Sequence, residues 1–357
     1  MAEQNGTINY VALAQAPRLL MECELKPLQG HRFQPTGFSD LGPARYTAPD
    51  GTEMLLVESA QSVANRLEAA IWDEADDNLI EPLRGLPFIL VKQGDRRLTN
   101  SILEAHRINS PYILEGGEKK VYDELKKGAA GMEKGAVDIR ALAKLILRYD
   151  PNAVLHGVFL AKSNLAGGRL RMTRLISGFI EAQGAAPAES GGVKDDRVDP
   201  SGDTKKGFGN VPFPRTEFTA ERITAYFNLD LALLRGYGLR DEANRLLIAL
   251  ALFKIRRFLS TGLRLRTACD LEPTSGGLRV TRPSDGFSLP AEDDLLKECQ
   301  TLIGECKEAK LFAKPPITEV EWKEAANGKG KKRKGSKGKG GEEAEASESD
   351  GSEGNDQ

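Results

Sequence analysis

The stretch Leu55-Leu56-Val57-Glu58-Ser59-Ala60-Gln61-Ser62-Val63-Ala64-Asn65-Arg66-Leu67-Glu68 carries a strand end, a cap and a helix in one run. Ala60, Val63, Ala64, Leu67 and Ile71 recur at helical spacing and predict one buried stripe, on a helix running to about Trp72. Ser59 stands where a hydroxyl can accept from a free amide of the first turn. Gln61 and Asn65 fall four apart on one flank, Ser62 and Arg66 four apart on the other. A solvated helix usually carries Lys and Glu there. Neutral hydrogen-bonding groups and one Arg beside an apolar stripe suit a sugar–phosphate backbone, or packing against a second polar surface.

Working outward, alternation predicts a strand over 18–28, with Met21, Cys23 and Leu25 on one face and Glu22, Glu24 and Lys26 on the other. Further strands are predicted at 51–58, 87–91, 153–161, 170–182, 219–229 and 263–267, and residues 106–113 read as a loop entering a strand. Gly167-Gly168 predicts a hairpin between 153–161 and 170–182. Ser275-Gly276-Gly277 predicts another, pairing 263–267 with 278–281 and setting Arg264 and Arg266 on one strand face. Helices are expected over 138–149, stopped by Asp150-Pro151, over 241–259 and over 293–311. Residues 184–214 are rich in Gly, Pro, Asp and Lys and lack apolar periodicity, so they read as a disordered loop or a protruding arm that orders on a partner. Strands outnumber helices and several are near neighbours, so the fold class is α+β, nearer a ferredoxin-like sheet with insertions than a doubly wound one. The organisation expected is a loosely held lead-in at 1–17, one domain at 18–312 and a disordered tail at 313–357, low in complexity beyond about residue 325.

The formal net charge of −2 conceals a segregation: residues 329–339 hold seven bases and no acid, and residues 342–356 seven acids and no base. Within the folded part, Lys254, Arg256, Arg257, Arg264 and Arg266 form a basic group without an acid among them. No apolar run approaches the roughly 20 residues of a membrane span, and residues 1–6 lack the apolar core of a secretory signal. Cys23, Cys269, Cys299 and Cys306 lack CxxC spacing. A cytoplasmic location with free, buried thiols, no membrane partner and no Cys/His metal site is expected.

The chain has no GxxxxGK[ST], HExxH or GxSxG motif and no strand-borne GxGxxG, and no cofactor is expected. The pairs Asp76-Asp77, Asp195-Asp196 and Asp293-Asp294 fall at helix ends and in the arm, where solvated caps are the ordinary role. His31, in a Gly/Pro-flanked loop, has the chemistry of a general acid–base in a metal-independent ribonuclease, or of a structural or stacking group. His156 lies in an apolar run and reads as a core histidine. Arg169, Arg171 and Arg174 bracket a hairpin, and Lys194, Arg197, Lys205, Lys206 and Arg215 interleave with Phe208 and Phe213 on the arm. Basic groups among aromatics fit single-stranded nucleic acid, while each Arg singly fits a surface salt bridge.

Six segments together resemble one family: Gly30-His31-Arg32-Phe33-Gln34-Pro35-Thr36-Gly37-Phe38; the run from Val57 to Glu68 quoted above; His106-Arg107-Ile108-Asn109-Ser110-Pro111-Tyr112; Gly209-Asn210-Val211-Pro212-Phe213-Pro214-Arg215-Thr216-Glu217-Phe218; Asp230-Leu231-Ala232-Leu233-Leu234-Arg235-Gly236-Tyr237-Gly238-Leu239; and Gly262-Leu263-Arg264-Leu265-Arg266-Thr267-Ala268-Cys269-Asp270-Leu271. They are similar to the RAMP-type backbone subunit of the type I-G (formerly I-U) CRISPR effector, the Csb-one branch of the Cas-seven family. The resemblance covers roughly residues 18–312 and leaves out the basic–acidic tail. It implies an RNA-recognition-motif (ferredoxin-like) palm with large insertions and a thumb-like arm, for which 184–214 is the candidate. It also implies a subunit that is not an enzyme and stacks head to tail along the spacer of a CRISPR RNA beside other Cascade subunits in antiviral defence. The guide would be held by its backbone, leaving base pairing with target DNA to supply specificity. Among the motif residues, Ser59, Gln61, Ser62, Asn65 and Arg66 are expected to hold phosphate and 2′-hydroxyl groups, with Arg32 and Gln34 contributing from the first loop. Arg107, Lys194, Arg197, Arg215, Arg264 and Arg266 are further RNA-binding candidates, some of them for the subunit interface or the target strand.

Overall fold

The structure, a computed structural model, describes residues 8–38, 41–116, 119–133 and 135–323. In chain order, the elements that position the site begin with β1 (Arg18–Pro27), β2 (Arg45–Thr47), β3 (Glu53–Glu58) and α1 (Ala60–Ala69). Next come β4 (Phe88–Gln93), β5 (Arg96–Asn100), α2 (Ile139–Tyr149), α3 (Pro151–His156) and a short hairpin of β6 (Val158–Leu160) and β7 (Leu170–Met172). They are followed by β8 (Ile176–Gln183), β9 (Ala186–Lys194), β10 (Val211–Thr219), β11 (Arg222–Asp230) and α4 (Asp241–Thr261). The chain continues through β12 (Arg264–Arg266), β13 (Cys269–Arg282), α5 (Glu292–Glu308) and β14 (Ile317–Glu321).

A seven-stranded sheet runs β12-β13-β1-β11-β8-β3-β2, and β1 lies antiparallel to both of its neighbours. The alternation read in β1 is realised: Leu19, Met21, Cys23 and Leu25 are buried, opposite Leu229, Phe227, Ala225 and Ile223 of β11. Helices α1 and α4 cover the apolar face of this sheet. The α4 helix is apolar around most of its circumference because α5 packs on it from the far side. A second sheet, β14-β4-β5, pairs β14 in parallel with β4. Thus residues 317–321, assigned to the tail by composition, form a strand with Thr318 and Val320 buried. Residues 324–357, with the Lys-rich and acidic runs, and residues 1–7 of the lead-in lie outside the described residues. From residue 8 the lead-in is packed, with Ile8 and Leu13 buried and the Tyr10 hydroxyl donating to Glu298 at 2.9 Å.

Several expectations need correction. The helix of the opening stretch ends at Ala69, and Trp72 belongs to a short strand pairing with Leu79. Residues 106–113 form a 3₁₀ turn and a short helix in place of a strand, because Ser110 accepts from the Tyr112 amide and Pro111 occupies the first helical position. The 153–161 strand shrinks to β6: Asp150 ends α2 and also caps α3, accepting from the amides of Asn152 at 2.8 Å and Ala153 at 3.3 Å. The hairpin across Gly167-Gly168 is present, with Phe159 opposite Arg171. The hairpin across Ser275-Gly276-Gly277 is not: β12 pairs with Cys269 and Asp270, and residues 278–282 pair with β1. Residues 184–214 contain regular structure, since β9 and β10 pair from Ala186↔Thr219 to Lys194↔Val211 and prolong the β8–β11 pair beyond the sheet. At the tip, Asp196 accepts from the amides of Val198, Asp199 and Gly209, so this carboxylate closes the turn.

His156 and Lys254 are both buried, and the Lys254 ammonium donates to Asn152 and faces His156 Nε2 at 3.0 Å. Burial pulls Lys254 down to about 8 and pushes Asp150, at the start of the same short helix, up to about 6. The native state therefore keeps a proton on Asp150 up to about pH 6, whereas an unfolded chain releases it near about pH 4. The contribution of Asp150 to stability falls as pH rises through that window and levels off above it. Asp150→Asn keeps a capping oxygen without the charge, so its advantage over the parent in urea midpoint should grow from pH 4 to pH 6, to the order of 2 kcal/mol.

Candidate nucleic-acid interface

The opening stretch ends its strand on a charge. Glu58 closes β3 and its side chain is fully buried. One oxygen, Oε1, accepts from Arg66 Nε at 2.8 Å and from the Ser62 hydroxyl, while Arg266 contacts Oε2. Ser62 and Arg66, four apart on the inner side of α1, face back to Glu58 at the end of β3, and Ser59, next to Glu58, caps the helix, accepting from the Ser62 amide at 3.2 Å. Arg66 also donates to the carbonyls of Leu265 and Arg264, and Arg266 to the carbonyl of Gln34 at 3.1 Å. Desolvation lowers the pKa of both guanidiniums, each about three-quarters buried by its side-chain exposure of 26% and 25%.

The network continues across the sheet edge into the root of the arm. Arg215, on β10, donates to Gln34 Oε1 at 3.2 Å and to the Thr267 carbonyl at 3.3 Å. Its neighbour on the same strand face, Glu217, receives Arg215 at 3.6 Å and Arg32 at 3.1 Å. Backbone bonds lock the same pieces, with Phe33 and Phe218 exchanging amide–carbonyl bonds at 2.9 Å and the Gln34 amide donating to Ala268 at 2.8 Å. Four guanidiniums (Arg32, Arg66, Arg215, Arg266) meet two carboxylates (Glu58, Glu217), leaving an excess of two positive charges. A cleft beside it is lined by Gln29, Gly30, His31, Arg32, Glu217 and Asp270.

The structure thus joins Arg32, Gln34, Ser59, Ser62, Arg66, Arg215 and Arg266. Gln61 and Asn65 are exposed on the outer flank of α1. Arg264 does not share the environment of Arg266: a bulge separates them, and Arg264 stays 81% exposed with Asp270 at 3.7 Å. Arg107 is placed elsewhere and inward, bidentate to Glu68 at 2.6 and 2.8 Å. Lys194 and Arg197 are exposed towards the far end of the arm. The expected basic group at 254–266 is dispersed, because Lys254 is buried, Arg256 donates to the carbonyls of Leu289 and Pro290, and Arg257 pairs with Glu292 at 3.1 Å. Glu58 and Glu217 were not singled out from sequence. The i, i+4, i+8 run Glu58-Ser62-Arg66 and the i, i+2 pair Arg215-Glu217 were the available signals.

Residues 19–187 match the family described as CRISPR-associated protein GSU0053. Among solved structures, the chain is similar to one in a CRISPR RNA-guided surveillance complex, pre-nicking, at 14% identity, covering 81% of this chain and 89% of that one with a TM-score of 0.39. A second CRISPR RNA-guided surveillance complex holds a chain 16% identical, with 82% and 84% covered and a TM-score of 0.35. Csc2 of Thermofilum pendens is 9% identical, with 86% and 84% covered and a TM-score of 0.29. No curated protein matches. Among the described residues, no helix is long and apolar enough to cross a membrane.

Removing Glu58 leaves two largely buried guanidiniums without their carboxylate. Glu58→Ala should lower unfolding stability by about 3 kcal/mol, and Glu58→Gln, which keeps the acceptor for Ser62 and Arg66, by less, both read by urea denaturation.

Proposed function

We propose that the chain is a non-catalytic backbone subunit of a cytoplasmic CRISPR surveillance complex of subtype I-G, gripping the guide RNA by its sugar–phosphate chain. One observation carries this reading. Four segments of the family pattern, far apart in sequence, meet in a single network: the first loop at Arg32 and Gln34, α1 at Arg66, the arm root at Arg215, and the 262–271 segment at Arg266. Residues of one pattern that converge with an excess of positive charge make a suitable seat for phosphate. Gln61 and Asn65 flank it as neutral partners for 2′-hydroxyls, independent of base sequence. The strand order β13-β1-β11-β8, with α1 and α4 on one face, supports reading the centre as an RNA-recognition-motif palm. The β9–β10 arm supports the thumb-like reading, its exposed Val198, Phe208 and Phe213 suiting contact with a neighbouring copy in a head-to-tail stack. Target DNA and other Cascade subunits would then be met through the guide and at the ends of that stack.

Arg66 is unsuited to a binding test, because its loss unbalances Glu58. The triple variant Gln61→Ala, Asn65→Ala, Arg264→Ala touches only exposed groups. It should bind single-stranded RNA at least tenfold more weakly than the parent with an unchanged thermal midpoint, and the parent's affinity should fall steeply with salt. A parent indifferent to RNA overturns the function, and a triple variant that binds like the parent overturns the placing of the guide along the exposed flank of α1. Cleavage of repeat RNA that disappears in His31→Ala would replace the scaffold by a ribonuclease.

A further inference from the structure

Outside the network, the β6–β7 hairpin carries a second basic–aromatic arrangement. Residues 157–175 contain Lys162, Arg169, Arg171 and Arg174 and no acid. Three of these cations are committed within the fold. Lys162 pairs with Glu115, Arg169 donates to the carbonyls of Met132 and Glu133, and Arg174 donates to the carbonyls of His156 and Ala60. Arg171 instead lies over an aromatic ring, its guanidinium carbon 4.8 Å from the centroid of Phe159, the residue directly opposite it in the hairpin. Phe159 is 43% exposed, while Val158 and Leu160 on either side are buried.

This ledge is braced before any ligand arrives. The Gly157 carbonyl at the root of the hairpin accepts from Arg107 at 3.2 Å, and the Ala161 amide donates to Asn109 at 3.0 Å. Gly157 has a φ of +80°, and a Cβ there would meet the Met172 carbonyl oxygen at 2.8 Å, so the strands enter the hairpin in one fixed way. Arg174 ties the other strand's exit to the first turn of α1 at 3.2 Å. A half-exposed Phe is a poor choice for a solvated strand position, where Thr or Lys would serve. Under an Arg, on an acid-free hairpin, it has the composition of a platform for a base and its phosphate.

We propose that Phe159 and Arg171 form a stacking site for one unpaired nucleotide of RNA, the base lying on the ring–guanidinium ledge and the phosphate meeting Arg171. The proposal rests on the RNA-binding reading above and adds to it a base-stacking contact separate from the backbone-gripping network. Both residues are exposed, so their variants should fold, and thermal midpoints check this. Single-stranded RNAs carrying 2-aminopurine at successive positions would be titrated with the parent, Phe159→Ala, Phe159→Leu, Phe159→Trp and Arg171→Gln. With the parent, quenching should peak at particular positions. It should be lost in Phe159→Ala and Phe159→Leu, with affinity about tenfold lower, and be retained in Phe159→Trp. Arg171→Gln should reduce the salt slope by about one phosphate's share. Phe159→Ala with the parent's affinity and quenching overturns the stacking site and leaves the RNA-binding reading standing. Phe159→Leu equal to the parent overturns stacking in favour of a plain apolar contact. A parent that binds no RNA overturns both.

Discussion

A single buried carboxylate sets the arrangement of the candidate interface. Glu58 has no access to solvent, so its charge must be met inside the protein, and Arg66, Arg266 and Ser62 meet it. Each arginine then spends its remaining donors on carbonyls of Gln34, Arg264 and Leu265. The result is a block in which α1, the first loop, the β12–β13 turn and, through Arg215, the arm cannot move independently. Such an arrangement contributes modestly to net stability, since desolvation offsets much of the attraction. Its larger effect is on geometry, because guanidiniums that would repel one another are held close together.

What the sequence disclosed and what it hid divide along one physical line. Local periodicity identified β1 and α1 with their buried faces, and the helices α4 and α5, because each pattern depends on residues within one or two turns. The pairing of residues 278–282 with β1 was not legible, because it joins segments some 260 positions apart that carry no turn signal between them. Asp150 misled for another reason: its backbone amide closes α2 on the Ile146 carbonyl while its side chain begins α3, and the apolar run behind it fits either state. At the site, residue identities were readable and orientations were not. Arg66 and Arg107 have the composition of phosphate ligands, yet each is turned towards a buried glutamate of another element, the end of β3 for Arg66 and the end of α1 for Arg107.

The two basic–aromatic regions differ in how their charge is used. Around Glu58, cations are concentrated by a carboxylate and share donors with backbone carbonyls. On the β6–β7 hairpin, three cations brace the scaffold and the fourth lies on a ring. Arg174 connects that scaffold to the first turn of α1, so the two regions share one framework.

The arm has a mechanical property that follows from its strands. β9 and β10 continue β8 and β11 with only a short break at Gly184–Ala185 and Ala220–Glu221, so the sheet's twist is carried outward along the hairpin. Nine residues per strand at roughly 3.3 Å each give a lever of about 30 Å. A rotation of about 5° at the root displaces the tip by about 2.5 Å, most of a strand's residue spacing. At the root, Arg32 on Glu217 and Arg215 on Gln34 and the Thr267 carbonyl tie the arm to the first loop and to the segment between β12 and β13, so the reach of the distal loop is set at its base.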